Sequence, residues 1–326
     1  MPGLRMRLLG ALGAGVALLV TGCSGPAQQR APSGIADVAF AGSLELVMDQ
    51  RVGPAFTKAT GYQYQGRGAG SFALAQEILG HEISPNVFIS VGSAAVSLLE
   101  PAHTSWAVRI ATSPLVIAYY PQGPHAAELH RIAAGQLPMA DLFSLLAAPG
   151  FRLGRTDPAT DPQGQAFAMM VGLAQRLYSL PAAEAKADLG GSNPGSEIYP
   201  ETALEAQLQA GQLDAASAFR SQAIQLGLPY VPLPAAINFG DPQDQVRYRQ
   251  ASLQIGPHDV VHGFLLDVEA TVLGRSGGAA ADSFVSYLLS TAGRATLSRA
   301  GYSVPPPSLL GNLHDIPAAI MAAAAR

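Results

Sequence analysis

Short apolar segments alternate with helix-like segments from residue 35 onward, and this alternation constrains the fold more than any other feature of the chain. Strands that alternate with amphipathic helices indicate βαβ units and a mostly parallel sheet. The first block predicts strands at Ile35–Ala41, 62–66 and 86–91, separated by helices at 44–59 and Ser71–Leu79. The predicted fold class is therefore α/β.

A second alternating block follows an extended stretch at 106–120 that is interrupted at Pro114. We predict two lobes, with the chain crossing near 112–116 and returning near 232–240, so that residues 35–113 and 238–326 form lobe 1 and 114–237 form lobe 2. The block predicts helices at 125–134, 138–147, 165–180, 200–210 and 280–299, and extended segments at 151–153, 213–218, 230–231, 237–239 and 262–273.

The N-terminus has the pattern of a secretion signal. Arg5 and Arg7 precede an uncharged apolar run over 8–20, which is shorter than the roughly 20 residues that a membrane span needs. The run ends at Val20-Thr21-Gly22-Cys23, which resembles a bacterial lipoprotein cleavage box. We expect a signal peptide at 1–22, a lipid on Cys23 and a tether at 23–34. The mature protein would lie in the periplasm or on the outer side of the cell membrane.

The composition of the chain excludes a nucleic-acid partner and two kinds of cysteine-based feature. Charged residues make up only 13% of the chain, and the net charge of −4 becomes two units more negative once Arg5 and Arg7 are removed. Nucleic-acid binding needs a surplus of Lys and Arg, so we expect no nucleic-acid partner. The single cysteine excludes an internal disulfide framework and a cysteine-based metal site.

Two Gly-Ser pairs, Gly42-Ser43 and Gly70-Ser71, each lie between a predicted strand and a predicted helix. The first turn of a helix has unpaired N–H groups and a partial positive charge, and it can therefore hold an anion. Glycine allows close approach to the backbone, and serine adds a neutral hydroxyl donor. The alternative is ordinary helix capping by serine, which occurs in many proteins without a ligand.

A third segment, GRTDPATDPQG at 154–164, precedes the predicted helix at 165–180. Its two Asp-Pro pairs are typical of Asx turns, so composition alone favours a structural role for Asp157 and Asp161.

Together these motifs resemble the periplasmic molybdate/tungstate-binding proteins of ABC importers, in particular their tungstate-type branch. The matching segments are AGSL at 41–44, GAGS at 68–71, GRTDPATDPQG at 154–164, LDAASAFRSQAIQLGLPYVPLP at 213–234 and FVSYLLSTAGRATLSRAGYSVP at 284–305. The resemblance implies a two-lobe type II periplasmic-binding-protein fold with a hinge and an interlobe cleft. It also implies a small oxyanion as ligand, no cofactor, no metal beyond the bound oxyanion, and a membrane permease as partner. We expect a monomer that is not an enzyme.

By position, the resemblance assigns the donation of hydrogen bonds to the anion to Gly42, Ser43, Gly70 and Ser71. Asp161 would approach the metal centre of a bound tungstate or molybdate from the other lobe, and Thr160 beside it is also expected to bind the ligand. The family's coordinating glutamate falls at Ala218 here, and alanine cannot be a ligand. Arg155 and Arg220 lie in the matched segments and could offset the anion's charge.

Other functions are weighed against this prediction. The ligand could be a plain tetrahedral anion such as sulfate or phosphate, or the protein could be a ligand sensor of the same fold. A hydrolase would use Ser43 or Ser71 as nucleophile, but no Gly-x-Ser-x-Gly motif occurs. His258 and His262 have a spacing compatible with zinc on a helix, but they lie at a predicted strand start, which does not favour a zinc site.

Overall fold

The computed structural model describes residues 33–182, 196–274 and 278–326. Thirteen strands occur in these ranges. They are β1 Ile35–Ala41, β2 Gln63–Ala69, β3 Val87–Val91, β4 Trp106–Thr112, β5 Leu115–Tyr119, β6 Leu153–Arg155, β7 Ser196–Ile198, β8 Ala215–Phe219, β9 Tyr230–Pro232, β10 Ser252–Gln254, β11 Val260–His262, β12 Asp267–Val272 and β13 Ser308–Gly311.

The α-helices of the same ranges mostly follow the strands, as the alternation predicts. They are α1 Glu45–Val47, α2 Gly53–Thr60, α3 Ser71–Leu79, α4 Ala94–Leu98, α5 Ala126–Ala133, α6 Met139–Leu146, α7 Pro162–Tyr178, α8 Glu201–Gln209, α9 Arg220–Leu226, α10 Gln245–Tyr248, α11 Gly278–Leu289, α12 Thr291–Arg299 and α13 Ala318–Ala324. A 3-10 turn over Gly42–Leu44 leads into α1, and a π-helical turn over Met48–Val52 joins α1 to α2.

The strands form two large sheets and one small hairpin. The six-stranded sheet has the order β13-β4-β12-β3-β1-β2, the five-stranded sheet has the order β7-β6-β8-β5-β9, and β10 pairs with β11 alone. Both large sheets are mixed: β1 is parallel to β2 and β3, and β6 is parallel to β7 and β8, while the other neighbours are antiparallel. The prediction of mostly parallel sheets is therefore wrong, because β5, β12 and β13 return in the opposite direction.

Three predicted segments differ in the structure for local reasons. The helix expected at 280–299 is two helices, since the Ser290 hydroxyl accepts a hydrogen bond from the Gly293 N–H and starts α12. The extended segment expected at 237–239 is not a strand, since Ile237 is the last residue of a 3-10 turn over Ala235–Ile237. The long strand expected at 262–273 is divided between β11 and β12.

The chain passes from the six-stranded to the five-stranded sheet between β4 and β5, at Ser113-Pro114, and returns between β9 and β12. We refer to the six-stranded sheet with its helices as the first half, and to the five-stranded sheet with its helices as the second half. The division into lobes at residues 113 and 237 stays a prediction. The predicted signal peptide, Cys23 and most of the tether lie outside the described residues.

Apolar side chains fill both faces of the sheets. The central strands β3, β5, β8 and β12 are buried along their whole length, which explains the near-continuous apolar character of β3, β5 and β8. No helix in the described ranges combines the length and the hydropathy that a membrane crossing requires.

Candidate functional site

The two predicted serines lie at the same edge of the six-stranded sheet. β1 and β2 are parallel neighbours with Ala41 paired to Ala69, and each strand is followed two residues later by a serine. Both Ser43 and Ser71 are buried. The Ser71 hydroxyl accepts a hydrogen bond from the Val91 N–H at 3.2 Å, at the end of β3, which pairs with the other side of β1. The strand order thus brings the two Gly-Ser segments together.

Asp161 reaches this edge from the second half. It is the N-cap of α7, where its Oδ1 accepts a hydrogen bond from the Gln163 N–H at 2.7 Å, and it is 4% exposed. Gly70 of the first half packs directly against it: a Cβ on Gly70 would lie 2.6 Å from the Thr160 carbonyl oxygen and 3.3 Å from Asp161 Oδ2. Only glycine allows this approach. The structure therefore joins the predicted residues Gly70, Thr160 and Asp161 across the two halves.

Glu201 is a second buried carboxylate at the same place, and the sequence did not predict it. It is the first residue of α8 in the second half and is 4% exposed. A Cβ on Gly42 would lie 2.9 Å from Glu201 Oε2, so this carboxylate meets the first Gly-Ser segment as Asp161 meets the second. In the sequence, Glu201 is merely an acidic residue in a first helical turn, which is common on exposed helices.

Amide side chains orient Glu201. Gln163 Nε2 and Gln222 Nε2 each lie 3.3 Å from Glu201 Oε1 and donate to it. Gln163 also donates to Gln222 Oε1 at 3.1 Å, and it accepts a hydrogen bond from the Ser217 hydroxyl at 2.9 Å. These residues come from α7, β8 and α9, so the packing of the second half fixes the carboxylate in place.

Burial raises the pKa of three carboxyl groups here, those of Asp161, Glu201 and Glu205, which also lies on α8. Burial raises the pKa of Asp161 to about 6, although the Gln163 N–H opposes the rise. The pKa of Glu201 is raised well above its usual range, first by burial and then by the charges of Asp161 and Glu205. Burial, and the charge of Glu45 from the first half, raise the pKa of Glu205 to about 8.

The remaining predicted residues lie elsewhere. Ala218 of β8 packs in an apolar cluster with residues such as Val116 and Leu204, whereas its neighbour Ser217 faces the amide network. Arg220 donates hydrogen bonds to Gly301 and Ser303. Arg155 ends β6 close to Asp157, and burial lowers its pKa.

Among the described residues, no hydrogen bond joins Ser43 or Ser71 to a histidine, which a serine nucleophile would need as its base. Within the same part of the chain, no cluster of three His, Cys, Asp or Glu side chains could hold a metal ion, and His258 and His262 belong to none.

Comparisons with known proteins show which family this chain belongs to. Residues 36–303 match the family described as bacterial extracellular solute-binding protein. A relative from Haloferax volcanii, named as an ABC transporter molybdenum-binding protein, is 32% identical over 87% of this chain and 86% of its own length. The molybdate/tungstate-binding protein of Thermococcus kodakarensis is 27% identical over 49% of this chain and 48% of its own.

Among solved structures, the periplasmic molybdate-binding protein of Azotobacter vinelandii superposes with a TM-score of 0.55 and 18% identity. The superposition covers 82% of this chain and 98% of the other, and it confirms the periplasmic-binding-protein type of α/β fold. The extent of the family match and the identity to the Haloferax relative are decisive for the classification. The chain belongs to the family of bacterial extracellular solute-binding proteins.

Proposed function

We propose that this protein is the extracytoplasmic solute-binding component of an ABC importer and that it binds molybdate or tungstate between its two halves. The observation that carries the proposal is the meeting of Asp161 and Glu201 with the two Gly-Ser segments. The family consists of solute-binding proteins and not of enzymes, which agrees with the absence of an activating histidine beside either serine in the described residues.

Each half would contribute a different kind of ligand. The Gly-Ser segments of the first half supply hydroxyls and backbone N–H groups, which donate to the oxygens of an anion. Asp161 and Glu201 of the second half supply carboxylate oxygens, which can approach a tungsten or molybdenum centre as additional ligands. We propose that Glu201, and not a residue at position 218, completes the coordination. Glu201 would then have the coordinating role that the resemblance assigned to position 218.

Electrostatics favour a metal oxyanion over sulfate or phosphate. An ionised carboxylate repels a dianion unless it is attracted by a metal centre or carries a proton. Sulfur and phosphorus in these tetrahedral anions do not accept further oxygen ligands, so Asp161 and Glu201 oppose sulfate and phosphate whenever they are ionised. We therefore expect molybdate and tungstate to bind more tightly than sulfate and phosphate.

Access to the site requires the halves to separate. Ser43, Ser71, Asp161 and Glu201 are all buried. We propose a hinge at the two crossing segments and a cleft that closes over the anion, so that ligand binding shifts the protein toward the closed form.

Isothermal titration calorimetry with molybdate, tungstate, sulfate and phosphate tests the proposal. Asp161→Asn and Glu201→Gln should each weaken tungstate binding by about tenfold or more, because a neutral amide is a poorer metal ligand. The matched control Glu128→Gln removes an exposed carboxylate on α5 and should bind as the wild type does. Failure of all four anions to bind the wild-type protein would contradict the proposal.

We also propose that the mature protein is a monomer held at the membrane by a lipid on Cys23. Acyl chains contribute about 0.8 kcal/mol per buried methylene to membrane attachment. Cys23→Ser should move the protein from the membrane fraction to the soluble extracytoplasmic fraction. Retention of this variant at the membrane would show that another element anchors the chain.

A further inference from the structure

A three-residue segment, Gly301-Tyr302-Ser303, contacts both a Gly-Ser segment of the site and helix α9 of the second half. Ser303 belongs to the first half, since its N–H and carbonyl pair with Thr112 at the end of β4, at 3.0 and 2.8 Å. The buried Tyr302 hydroxyl donates a hydrogen bond to the Ser43 carbonyl oxygen at 3.1 Å. The segment therefore fixes the position of one of the two Gly-Ser segments through a buried hydrogen bond.

Arg220 connects this segment to the second half. It is the first residue of α9, directly after β8, and its Nη2 donates to the Gly301 carbonyl oxygen at 3.3 Å and to the Ser303 hydroxyl at 2.9 Å. Its backbone N–H donates to the carbonyl of Pro114, in the crossing segment, at 2.9 Å. The guanidinium thus bridges the two halves close to the point where the chain crosses between them.

The two halves pack closely around this bridge, so the contacts there would change if the angle between the halves changed. Gly301 has a positive φ of 92°, and a Cβ on it would lie 2.9 Å from Ile224 Cδ1 and 3.2 Å from the Ser221 backbone. In addition, the Ser221 N–H donates to the Ser113 hydroxyl at 3.0 Å. A rotation that separates the halves would pull α9 away from Gly301 and break the Arg220 hydrogen bonds.

We propose that Arg220 is a positioning residue that stabilises the closed arrangement by bonding to Gly301 and Ser303 across the two halves. The proposal rests on the proposed function, because it assumes that the anion is held in the closed form. Arg220 would not touch the anion. It would raise the affinity by favouring the closed state and would act mainly by slowing dissociation of the ligand.

This role differs from the one that the sequence suggested for Arg220. The resemblance placed this arginine where its charge could offset that of the anion. Its hydrogen bonds instead lead to a backbone carbonyl and a hydroxyl of the first half. Charge-assisted hydrogen bonds of this kind are stronger than neutral ones, so a bridge present only in the closed state can shift the equilibrium by a measurable amount.

A double-mutant cycle tests the proposal with tungstate as the probe. Arg220→Ala and Ser303→Ala should each weaken affinity about fivefold, and the double variant should be no more than about twofold weaker than Arg220→Ala, because both changes break the same bridge. Arg220→Lys keeps a charged donor and should recover most of the affinity. The control Arg131→Ala removes an exposed arginine on α5 and should leave binding unchanged.

Two readouts separate this role from general stability. Stopped-flow fluorescence should show that Arg220→Ala speeds dissociation of tungstate while the association rate changes by less than about twofold. Thermal unfolding without ligand identifies variants that are merely misfolded, and Ser303→Ala retains the backbone pairing with Thr112. If the wild type binds tungstate and Arg220→Ala binds equally well, or if the two single effects multiply in the double variant, the bridge proposal alone is wrong. If the wild type binds no anion, the proposed function fails and this proposal fails with it.

Discussion

Replacing Glu205 with glutamine should stabilise the protein, and increasingly so as the pH rises from 5 to 7. Glu205 lies on α8, and one of its carboxyl oxygens is buried without a hydrogen-bond partner of normal geometry among the described residues. It lines the same groove as Glu45 and Asp49 of the first half. Burial and the charge of Glu45 raise its pKa from 4.5 to about 8.

The magnitude follows from linkage between protonation and folding. A carboxyl group whose pKa is raised by folding does not lower the free energy of unfolding at pH values well below its ordinary pKa. At higher pH it does lower the free energy of unfolding, and this cost grows until the pH passes the raised pKa. With pKa values of 4.5 and about 8, this cost is about 1 kcal/mol at pH 5 and about 3 kcal/mol at pH 7. Glutamine removes the charge but keeps the size of the side chain. The free energy of unfolding of Glu205→Gln should therefore exceed that of the wild type by up to these amounts.

Urea unfolding of the ligand-free wild type and of Glu205→Gln at pH 5 and pH 7 measures the effect. The other buried acids titrate in both proteins, so the difference between the two reports the Glu205 carboxyl together with the effect of its charge on Glu201. Glu128→Gln, at an exposed position, should show no gain at either pH. A gain of the same size at both pH values, or a loss of stability at pH 7, would refute the assignment of a buried, proton-linked carboxyl at this position.

Two further predictions concern the contacts between the halves. Gly70→Ala would place a methyl group 2.6 Å from the Thr160 carbonyl oxygen, so calorimetry should show tungstate affinity lowered by about tenfold or more. Gly172→Ala, in α7 with open space around it, should bind normally, and equal binding by the two variants would contradict this contact. Tyr302→Phe removes the hydrogen bond to the Ser43 carbonyl and should lower the free energy of unfolding by about 1 kcal/mol in urea titrations. An unchanged unfolding midpoint would show that this bond contributes nothing.

The sequence predicts most of the local structure of this protein. The strand Ile35–Ala41 and the helix Ser71–Leu79 are confirmed at the predicted residues, because apolar periodicity and Gly-Ser boundaries define them locally. The antiparallel returns of β12 and β13 were not predictable, since strand direction depends on the path of the connections. Periodicity also cannot reveal a short cap such as Ser290, which divides one apparent helix into two.

The candidate site was predictable only in part. Ser43, Ser71 and Asp161 follow strands and begin helices, so their placement at sheet edges could be deduced from the chain order. Glu201 has the same context after β7, and its position behind Pro200 at a strand–helix junction is the signal that could have identified it. Alternation along β8 could likewise have shown that Ala218 and Ser217 face opposite sides.

In the proposed function, one metal oxyanion lies between the two halves and is held by both carboxylates. Crystals grown with sodium tungstate, with diffraction data collected at a tungsten absorption edge, would locate the metal directly. We expect one strong anomalous peak within bonding distance of the Asp161 and Glu201 carboxylates, with the oxygens of the anion facing Ser43 and Ser71. A peak on the surface of the protein, or tungstate bound away from both carboxylates, would contradict it.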